Sequence, residues 1–229
     1  GERDCSLQRR NQKMIEESPS PSPLMTGSLR SKMGAAAIKA AKAVSYYNAG
    51  TVEFLLDATG SFYFMEMNTR VQVEHPVTEF VTNTDIVQEQ IKIAAGLELS
   101  FKQSDITMRG HAIECRINAE NPAFNFRPSP GTVTALHIPG GPGIRVDSAM
   151  YAGYTIPPYY DAMIAKLIAY APTRKQALAK MHWALAEFLV EGVDTNIDFQ
   201  LELLRDEEVI NGSFDIGYIE RRQSTGLRK

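Results

Sequence analysis

Polar and apolar residues alternate most regularly between Glu66 and Glu74. Side chains of a strand have a period of two, so an extended conformation would place the polar residues of this stretch on one side. The polar set combines two carboxylates, two amides and a guanidinium, which suits the binding of a cation beside an oxyanion. An exposed sheet face with cross-strand ion pairs is the alternative that the spacing leaves open. The polar positions are Glu66, Asn68, Arg70, Gln72 and Glu74.

The segment just upstream predicts a β-hairpin. Thr51–Leu56 and Ser61–Glu66 read as two strands joined by a four-residue turn. Paired positions in an antiparallel hairpin sum to a constant and share a face, so Glu53 and Glu66 should face the same way, with Asn68 beyond them. Two carboxylates and an amide oxygen are hard ligands that suit Mg²⁺ or Mn²⁺. Because two like charges on one face would repel, the hairpin predicts a divalent metal site.

Strand-like and helix-like patterns divide the rest of the chain. Arg3–Gln12 predicts a strand, and the Pro/Ser-rich stretch Glu16–Pro23 predicts a connector that carries neither helix nor central strand. The other predicted strands cover 111–119, 131–138, 143–148 and 161–171. The predicted helices cover 28–48, 86–95, 174–190 and 195–205, with Asp85 and Thr173 as caps. Strands and a helix, then several strands, then paired helices indicate an α+β fold.

Some distinctive side chains are assigned structural roles. His75 has no second histidine nearby, so it is predicted to make a structural hydrogen bond rather than bind a metal. The glycines of 139–143 lack the strand-to-helix context of a dinucleotide-binding fingerprint and are assigned to a turn. Three large side chains near the C-terminus are predicted to lie in the core: Met181, Trp183 and Phe188.

Composition describes an ordinary globular protein. Hydrophobic residues make up 44% of the 229 residues and charged residues 22%, which allows a substantial core. A net charge of -3 gives no general attraction to nucleic acid or an anionic membrane. The two cysteines, Cys5 and Cys115, lie far apart, which favours a reduced, cytoplasmic setting over a disulfide scaffold. No apolar run of membrane length and no signal peptide is present, and the start without Met is expected of a fragment.

Four stretches resemble the biotin carboxylases of the ATP-grasp superfamily. They are Glu2–Arg10, Phe64–Glu79 (FMEMNTRVQVEHPVTE), His111–Glu120 and Tyr159–Leu167. The match runs in order from Gly1 to about Arg222. Around Met67 and Arg70 the chain resembles the acyl-CoA carboxylases, notably the bacterial acetyl-CoA carboxylase subunit, more than pyruvate carboxylase. The family also has an N-terminal domain and a glycine-rich lid with ATP-contacting lysines, about the first half of its chain, which this chain lacks.

The resemblance implies an arrangement in two parts. Residues 1–108 would form the C-terminal part of an ATP-grasp domain, and residues 109–229 the biotin carboxylase C-terminal domain, giving an α+β fold. The implied ligands of the divalent ions that bridge the ATP phosphates are Glu53, Glu66 and Asn68, in agreement with the hairpin. The implied nucleotide contacts are Gln8, Asn11, Glu53, Leu55 and Glu66. Many relatives have His at the position of Asn11.

The resemblance also implies a reaction. Bicarbonate attacks the γ-phosphate of ATP to give carboxyphosphate, whose products carboxylate biotin at N1′. The implied bicarbonate contacts are Lys13, Arg70, Gln72 and the backbone of Val73. Glu74 would take the proton of bicarbonate, and Arg116 would bind biotin and stabilise negative charge on its ureido oxygen. The implied catalytic residues are therefore Lys13, Arg70, Glu74 and Arg116.

The implied cofactors and partners follow from the same resemblance. They are ATP, Mg²⁺ or Mn²⁺, biotin on a carboxyl carrier protein or domain, a carboxyltransferase component, and a second copy of the chain. Arg145 matches an interface position of the family, although Pro142 replaces an aromatic residue seen in some relatives. The implied role is in cytoplasmic fatty acid biosynthesis, without a nucleic acid or membrane partner.

Two other functions remain as alternatives. Another ATP-grasp ligase would share the metal carboxylates but not the biotin site, and Arg116 and the run Gln72–Glu74 argue against it. A non-catalytic assembly or dimerisation module would describe the behaviour of the isolated chain. Because the lid is absent, we expect the 229-residue chain to be inactive alone.

Overall fold

A five-stranded antiparallel sheet is the centre of the fold. The computed structural model describes residues 1–226. In chain order the strands are β1 (Asp4–Arg9), β2 (Gln12–Ser18), β3 (Thr51–Leu56), β4 (Phe62–Asn68), β5 (His111–Asn118), β6 (Glu120–Asn121), β7 (Arg127–Pro128), β8 (Gly131–Thr132), β9 (Ala135–His137), β10 (Ile144–Ser148), β11 (Thr155–Ile156), β12 (Met163–Ala171) and β13 (Leu189–Glu191). The helices are α1 (Gly27–Ala43), α2 (His75–Thr82), α3 (Ile86–Ala94), α4 (Arg174–Glu187), α5 (Ile197–Leu203), α6 (Glu207–Asn211) and α7 (Tyr218–Gly226). The main sheet has the order β1-β2-β5-β12-β10.

Different helices cover the two faces of the main sheet. On one face Ile113 of β5 belongs to the large core that includes Met181 of α4. On the other face Ala112 and Ile168 pack in a smaller cluster with Val77 of α2. Side chains alternate along a strand, so every second residue of β5 faces α2.

The α2 face carries polar as well as apolar residues. Glu114 and Arg116 alternate with the core residues of β5. Glu16 lies opposite Glu114 on β2, and Lys166 lies opposite Arg116 on β12. Paired residues of neighbouring strands share a face, so all four side chains lie on the α2 side of the sheet.

The predicted α+β class and the predicted hairpin are confirmed. β3 and β4 pair antiparallel with Glu53 opposite Glu66. The predicted caps are also present, because Asp85 accepts a hydrogen bond from the backbone N–H of Gln88 at the start of α3. At the start of α4 the Thr173 hydroxyl accepts the equivalent bond in the same way. Local patterns therefore located these elements correctly.

The predicted connector over Glu16–Pro23 is wrong in its first three residues. Glu16, Glu17 and Ser18 are buried and form the end of β2, which pairs with β5. The prolines that exclude a strand begin only at Pro19. Burial of the two carboxylates is compensated by ion pairs with arginines from distant segments, which local composition does not reveal.

The predicted strand over Arg3–Gln12 is also wrong, because it is interrupted. Arg10 and Asn11 have φ values of 48° and 65°, and they form a two-residue turn between β1 and β2. Asparagine tolerates the left-handed backbone region, which makes such a turn possible. The first ten residues therefore begin a hairpin rather than a single strand.

The polar row does not continue as a strand. β4 ends at Asn68, residues 69–74 are irregular, and α2 begins at His75. Pro76 lies in the first turn of α2, where proline's fixed φ favours the start of a helix. The predicted shared face of Glu66 to Glu74 is therefore wrong beyond Asn68. His75 makes the predicted structural contact, with Nδ1 2.9 Å from the carbonyl oxygen of Gln72.

Some predicted element ends are wrong. The first helix stops at Ala43, the predicted strand over 131–138 is split into β8 and β9, and the last predicted helix is reduced to α5. α4 ends at Glu187, because the next residues pair with β9 as β13. Met181 and Phe188 are buried as predicted, but Trp183 is 45% exposed. Only one face of α4 therefore packs against the core.

The main sheet draws strands from both halves of the chain. β1 and β2 come from residues 1–108, whereas β5, β10 and β12 come from residues 109–229. The division into two domains at this point stays a prediction. Both cysteines are free, without a disulfide. Within residues 1–226 no helix is long and apolar enough to cross a membrane.

Candidate active site

Charged side chains form a continuous line of contacts from the β3–β4 hairpin to the main sheet. Lys13 Nζ lies 2.9 Å from Glu53 Oε1 and 2.9 Å from Glu74 Oε1. Arg116 Nη2 lies 3.1 Å from Glu74 Oε2, and Arg116 Nε lies 2.6 Å from Glu16 Oε1. Three carboxylates therefore alternate with two cations along the line.

Glu74 stands at the middle of this line. It directly precedes α2, is 1% exposed, and has one cation on each carboxylate oxygen. Burial by itself raises the pKa of Glu74, but the nearby charges of Arg3 and Lys13 outweigh it and hold that pKa below its usual value. The group is therefore ionised at neutral pH, as a general base must be.

Lys13 joins Glu53, at the hairpin end of the line, to Glu74 at its middle. Burial disfavours its positive charge, but Cys5, Glu53 and Glu74 outweigh burial and raise the pKa of Lys13 above its usual value. The side chain is only partly exposed, at 17%. A fixed ammonium group between two carboxylates can bind an oxyanion that approaches from the open side.

The three predicted metal ligands are brought together. The Asn68 amide donates hydrogen bonds of 3.0 Å to Glu53 Oε1 and 3.0 Å to Glu66 Oε1. Two carboxylates and one amide thus converge, and rotation of the amide by half a turn would present its oxygen instead of its nitrogen. Among residues 1–226 no group of three or more His, Cys, Asp and Glu side chains could hold a metal. The donor set fits a hard divalent ion only with the amide oxygen included.

The predicted bicarbonate contacts are less uniform. Arg70 is exposed and donates hydrogen bonds of 3.3 Å to Asn68 Oδ1 and 3.1 Å to the Val71 carbonyl. Gln72 is buried and donates to Glu53 Oε1 at 2.7 Å. The Val73 carbonyl accepts a hydrogen bond of 2.8 Å from Lys166. Arg70 therefore lies beside the metal ligands and does not touch Glu74 or Arg116.

Three of the predicted nucleotide contacts lie outside the line of contacts: Gln8, Asn11 and Leu55. Gln8 pairs with Lys13 in the β1–β2 ladder, Asn11 is exposed in the turn, and Leu55 is 42% exposed on β3. In the part of the chain that the structure describes, neither Gln8 nor Asn11 makes a side-chain hydrogen bond to the charged line. Of the predicted nucleotide contacts the line includes Glu53, and Glu66 is joined to Glu53 through the Asn68 amide.

Sequence reasoning missed four residues of the site. Arg3 donates to Gln72 Oε1 at 2.6 Å and to Thr51 Oγ1 at 2.8 Å, so it ties the irregular segment to the hairpin. Lys166 holds the backbone of the same segment. Glu16 fell within the predicted connector. Glu114 alternates with Arg116 along the predicted strand, and this alternation was the only sign of Glu114 in the sequence. The missed residues are Arg3, Glu16, Glu114 and Lys166.

Arg145 makes its contacts within the chain. Its Nη1 donates to Glu79 Oε2 at 2.8 Å, and its Nε and Nη2 donate to the two oxygens of Asp147 at 2.8 and 3.0 Å. The side chain is 36% exposed. It therefore ties β10 to α2 and leaves part of its surface open.

Comparison with known proteins finds matches along most of the chain. Residues 1–102 match the family described as carbamoyl-phosphate synthase L chain, ATP binding domain, and residues 114–221 match the biotin carboxylase C-terminal domain. Biotin carboxylase 1 of Bacillus subtilis is 59% identical over 221 residues, which are 96% of this chain and 49% of that protein. A pyruvate carboxylase subunit from Methanothermobacter thermautotrophicus is 53% identical over 219 residues, 96% of this chain and 44% of that protein.

Solved structures show the same likeness. The biotin carboxylase domain of the 2-oxoglutarate carboxylase of Hydrogenobacter thermophilus superposes with a TM-score of 0.94 at 50% identity. The superposition covers 97% of this chain and 49% of that domain, which is described as a dimer in complex with MgADP, ADP and bicarbonate. The chain thus spans about half the length of the curated relatives that it matches.

Proposed function

The chain belongs to the biotin carboxylase family, and from this premise we propose that it supplies the catalytic centre of a longer, ATP-dependent enzyme that carboxylates biotin with bicarbonate. Its fold is the C-terminal part of an ATP-grasp domain followed by the biotin carboxylase C-terminal domain. The whole reaction needs the part of the enzyme that the relatives have and this chain does not contain. The proposal therefore concerns a full-length protein that includes this chain.

One observation carries the proposal: Glu74 is buried between Lys13 and Arg116. A general base that acts at neutral pH must be ionised and must lie within reach of the proton that it takes. Lys13 can hold a bicarbonate oxygen on one side of the carboxylate, and Arg116 can face the acceptor on the other side. In this proposal the base would lie between the donor and the acceptor of the carboxyl group.

The hairpin would bind the nucleotide. Glu53, Glu66 and Asn68 have the donor atoms to hold a divalent ion such as Mg²⁺ or Mn²⁺ against the phosphates. Such an ion supplies neutralisation of phosphate charge during phosphoryl transfer. Further contacts to ATP would come from Gln8, Asn11 and Leu55.

The chain's own residues would then act on bicarbonate and biotin. Lys13, Arg70, Gln72 and the Val73 backbone would orient bicarbonate, and Glu74 would remove its proton. The bicarbonate oxygen attacks the γ-phosphorus, the bond to ADP breaks, and carboxyphosphate forms. Carboxyphosphate would then break into CO₂ and phosphate, the phosphate would accept the N1′ proton, and N1′ would bond to the carbon of CO₂. Arg116 would donate hydrogen bonds to the ureido oxygen of biotin during this step. Guanidinium suits this role because it stays charged and donates in a planar fork.

We assign the full-length protein to an acyl-CoA carboxylase, with acetyl-CoA as the acceptor. The resemblance of the stretch around Met67 and Arg70 to the acyl-CoA carboxylases supports this assignment, whereas overall identity does not discriminate, because two other biotin carboxylases and a pyruvate carboxylase subunit are equally similar, at 52–53%. The partners would be a biotin carrier, a carboxyltransferase and a second copy of the protein that contacts the Arg145 region. The setting would be cytoplasmic fatty acid biosynthesis. Carboxyl transfer from the loaded carrier to acetyl-CoA but not to pyruvate tests the assignment.

The two other functions make different predictions. Another ATP-grasp ligase would not need Arg116, whose guanidinium is held by carboxylates on two segments. A non-catalytic dimerisation module would need neither Arg116 nor Glu74. If the chain were such a module, substitutions of Arg116 and Glu74 would be tolerated without loss of turnover.

Glu74→Gln in the full-length protein is the direct test. The amide keeps the shape but cannot take a proton, so biotin carboxylation should fall about 10²–10⁴-fold while the protein stays folded. The measurement is phosphate release that depends on both bicarbonate and biotin. Glu187→Gln, at the exposed end of α4, is the control. Wild-type turnover by the Glu74 variant would refute the proposed base.

A further inference from the structure

Glu16 lies beneath Arg116 on the α2 face of the main sheet. Its Oε1 accepts the 2.6 Å hydrogen bond from Arg116 Nε, and its side chain is fully buried. The second contact of the guanidinium runs from Nη2 to Glu74 Oε2. Within residues 1–226 the remaining nitrogen, Nη1, has no hydrogen-bond partner. Two carboxylates thus fix the plane of the guanidinium and leave one terminal N–H group for a ligand.

Glu16 lies beside Glu114 on the α2 face, and both carboxyl groups are buried. Its second oxygen, Oε2, and both oxygens of the neighbouring Glu114 are buried without hydrogen-bond partners among the described residues. Burial, followed by the charge of Glu16, raises the pKa of Glu114 well above its usual value. Burial also raises the pKa of Glu16 to about 7, although Arg116 opposes this rise. Of these two glutamates, Glu16 is the one that contacts Arg116.

We propose that Glu16 is a positioning residue that sets the orientation of Arg116 for biotin carboxylation. The inference rests on the proposed function, because it assigns a purpose to Arg116. The arginine side chain is flexible, so its guanidinium group can rotate. A carboxylate that accepts a hydrogen bond from Nε restricts this rotation, while the terminal nitrogens stay available to Glu74 and to a ligand. Catalytic groups must be held within about 0.5 Å and 10–20° of their productive geometry. Glu16 supplies this restraint from a strand, which is a rigid element.

The test compares Glu16→Gln with Glu17→Gln in the full-length protein. Both glutamates lie on β2, both are buried and both are ion-paired, but Glu17 contacts Arg174 and His111 on the α4 side. Glu16→Gln should lower kcat/KM for biotin about 10–100-fold and leave the slow, biotin-independent ATP hydrolysis within about threefold of wild type. Glu17→Gln should lower the unfolding temperature without this biotin-specific loss.

A second variant covers the case in which Glu16→Gln does not fold. Glu16→Asp keeps the charge but withdraws the carboxylate by about one methylene, so it should fold and show a smaller loss of the same kind. Equal losses of biotin-dependent and biotin-independent turnover in either Glu16 variant would overturn the proposal. So would a Glu16→Gln profile that matches that of Glu17→Gln.

A double-mutant cycle separates positioning from general damage. Arg116→Lys keeps the positive charge but removes the Nε that Glu16 holds, so adding Glu16→Gln to it should change kcat/KM by less than about twofold. If Glu16→Gln lowered kcat/KM by the same factor in the wild-type protein and in Arg116→Lys, Glu16 would act independently of Arg116. If Arg116→Lys and Arg116→Met leave biotin carboxylation intact, the proposed function of Arg116 itself is wrong, and that failure is distinct from a failure of the Glu16 proposal.

Discussion

The two faces of the main sheet hold buried ionic clusters that differ in how completely their polar atoms are paired. On the α4 face, both oxygens of Glu17 are bonded by Arg174, at 2.7 and 3.0 Å, and His111 Nε2 lies 2.6 Å from Oε2. On the α2 face, one oxygen of Glu16 and both oxygens of Glu114 lack partners in the described chain.

This difference indicates what each cluster is for. A buried charge that is fully hydrogen-bonded joins segments and keeps them in place, whereas an incompletely paired one costs stability that only another requirement explains. The α4-face cluster ties β2, β5 and α4 together, so we assign it to the fold. The α2-face cluster leads through Arg116 and Glu74 to the proposed reaction centre. The following predictions test this contrast, from the largest expected effect on turnover to the smallest.

The isolated 229-residue chain should show no biotin-stimulated ATP turnover, although both clusters are present. Glu66 of the hairpin and Arg70, which follows it, are exposed in this chain, so phosphates would be held from one side and water would not be excluded. The measurement is phosphate release with bicarbonate and biotin, beside a full-length protein. Turnover at a comparable rate would contradict this prediction.

Arg116→Met and Arg70→Met should differ in the full-length protein. Arg116 contacts the buried base, so its loss should lower biotin carboxylation about 10³-fold and spare much of the slow ATP hydrolysis without biotin. Arg70 lies beside the metal ligands, so its variant should lose the bicarbonate response of ATP hydrolysis. Titration of both variants with bicarbonate and with biotin distinguishes them. Identical profiles would show a single electrostatic cluster.

Glu66→Gln should lower Mg·ATP affinity and turnover together. It keeps the shape but removes one charge of the proposed ligand set, at a cost of about 2–4 kcal/mol of transition-state stabilisation. Steady-state kinetics over a range of Mg²⁺ concentrations measure both effects. Turnover within a few-fold of wild type would mean that the hairpin is an ordinary ion-paired face.

Arg174→Met should act on stability and leave turnover within about twofold. It leaves Glu17 buried with only His111 beside it, which should lower the free energy of unfolding by about 3–5 kcal/mol. Urea unfolding measures the loss, and activity is assayed at a temperature where the variant is folded. A specific loss of biotin carboxylation in folded Arg174→Met protein would contradict the assignment of the α4-face cluster to the fold.

Glu114→Gln should have the smallest effect on turnover, because neither oxygen of Glu114 has a hydrogen-bond partner among the described residues. The raised pKa means that the folded state keeps a proton that the unfolded state releases, so this group lowers stability as pH rises above about 4.5. Between that value and the folded pKa, wild type should lose up to about 1.4 kcal/mol per pH unit more than the variant. Urea unfolding at pH 5, 6 and 7 measures both slopes. Equal slopes would show that Glu114 is ionised.

Patterns within short segments allowed part of the site to be predicted. The hairpin pattern predicted that Glu53 and Glu66 lie on the same face, and they do, as a cross-strand pair. Asn68 was predicted from the same alternation and lies between them. The register itself differs from the predicted one, because Leu56 pairs with Phe62 and an irregularity between Glu53 and Phe54 then brings Glu66 opposite Glu53. The alternation failed after Asn68, because Pro76 begins a helix nearby and the chain leaves the sheet.

The sequence by itself determined the α+β class, the hairpin with its three candidate ligands, the helix caps and the resemblance that identifies the family. All of these depend on residues that are neighbours in the chain or on motifs read as whole segments. Only the tertiary structure decided that Glu16 belongs to β2 and that Arg116 bridges Glu16 and Glu74, which are 58 positions apart. Burial of a carboxylate on a strand is possible only when a cation arrives from another segment, and local composition carries no record of that partner.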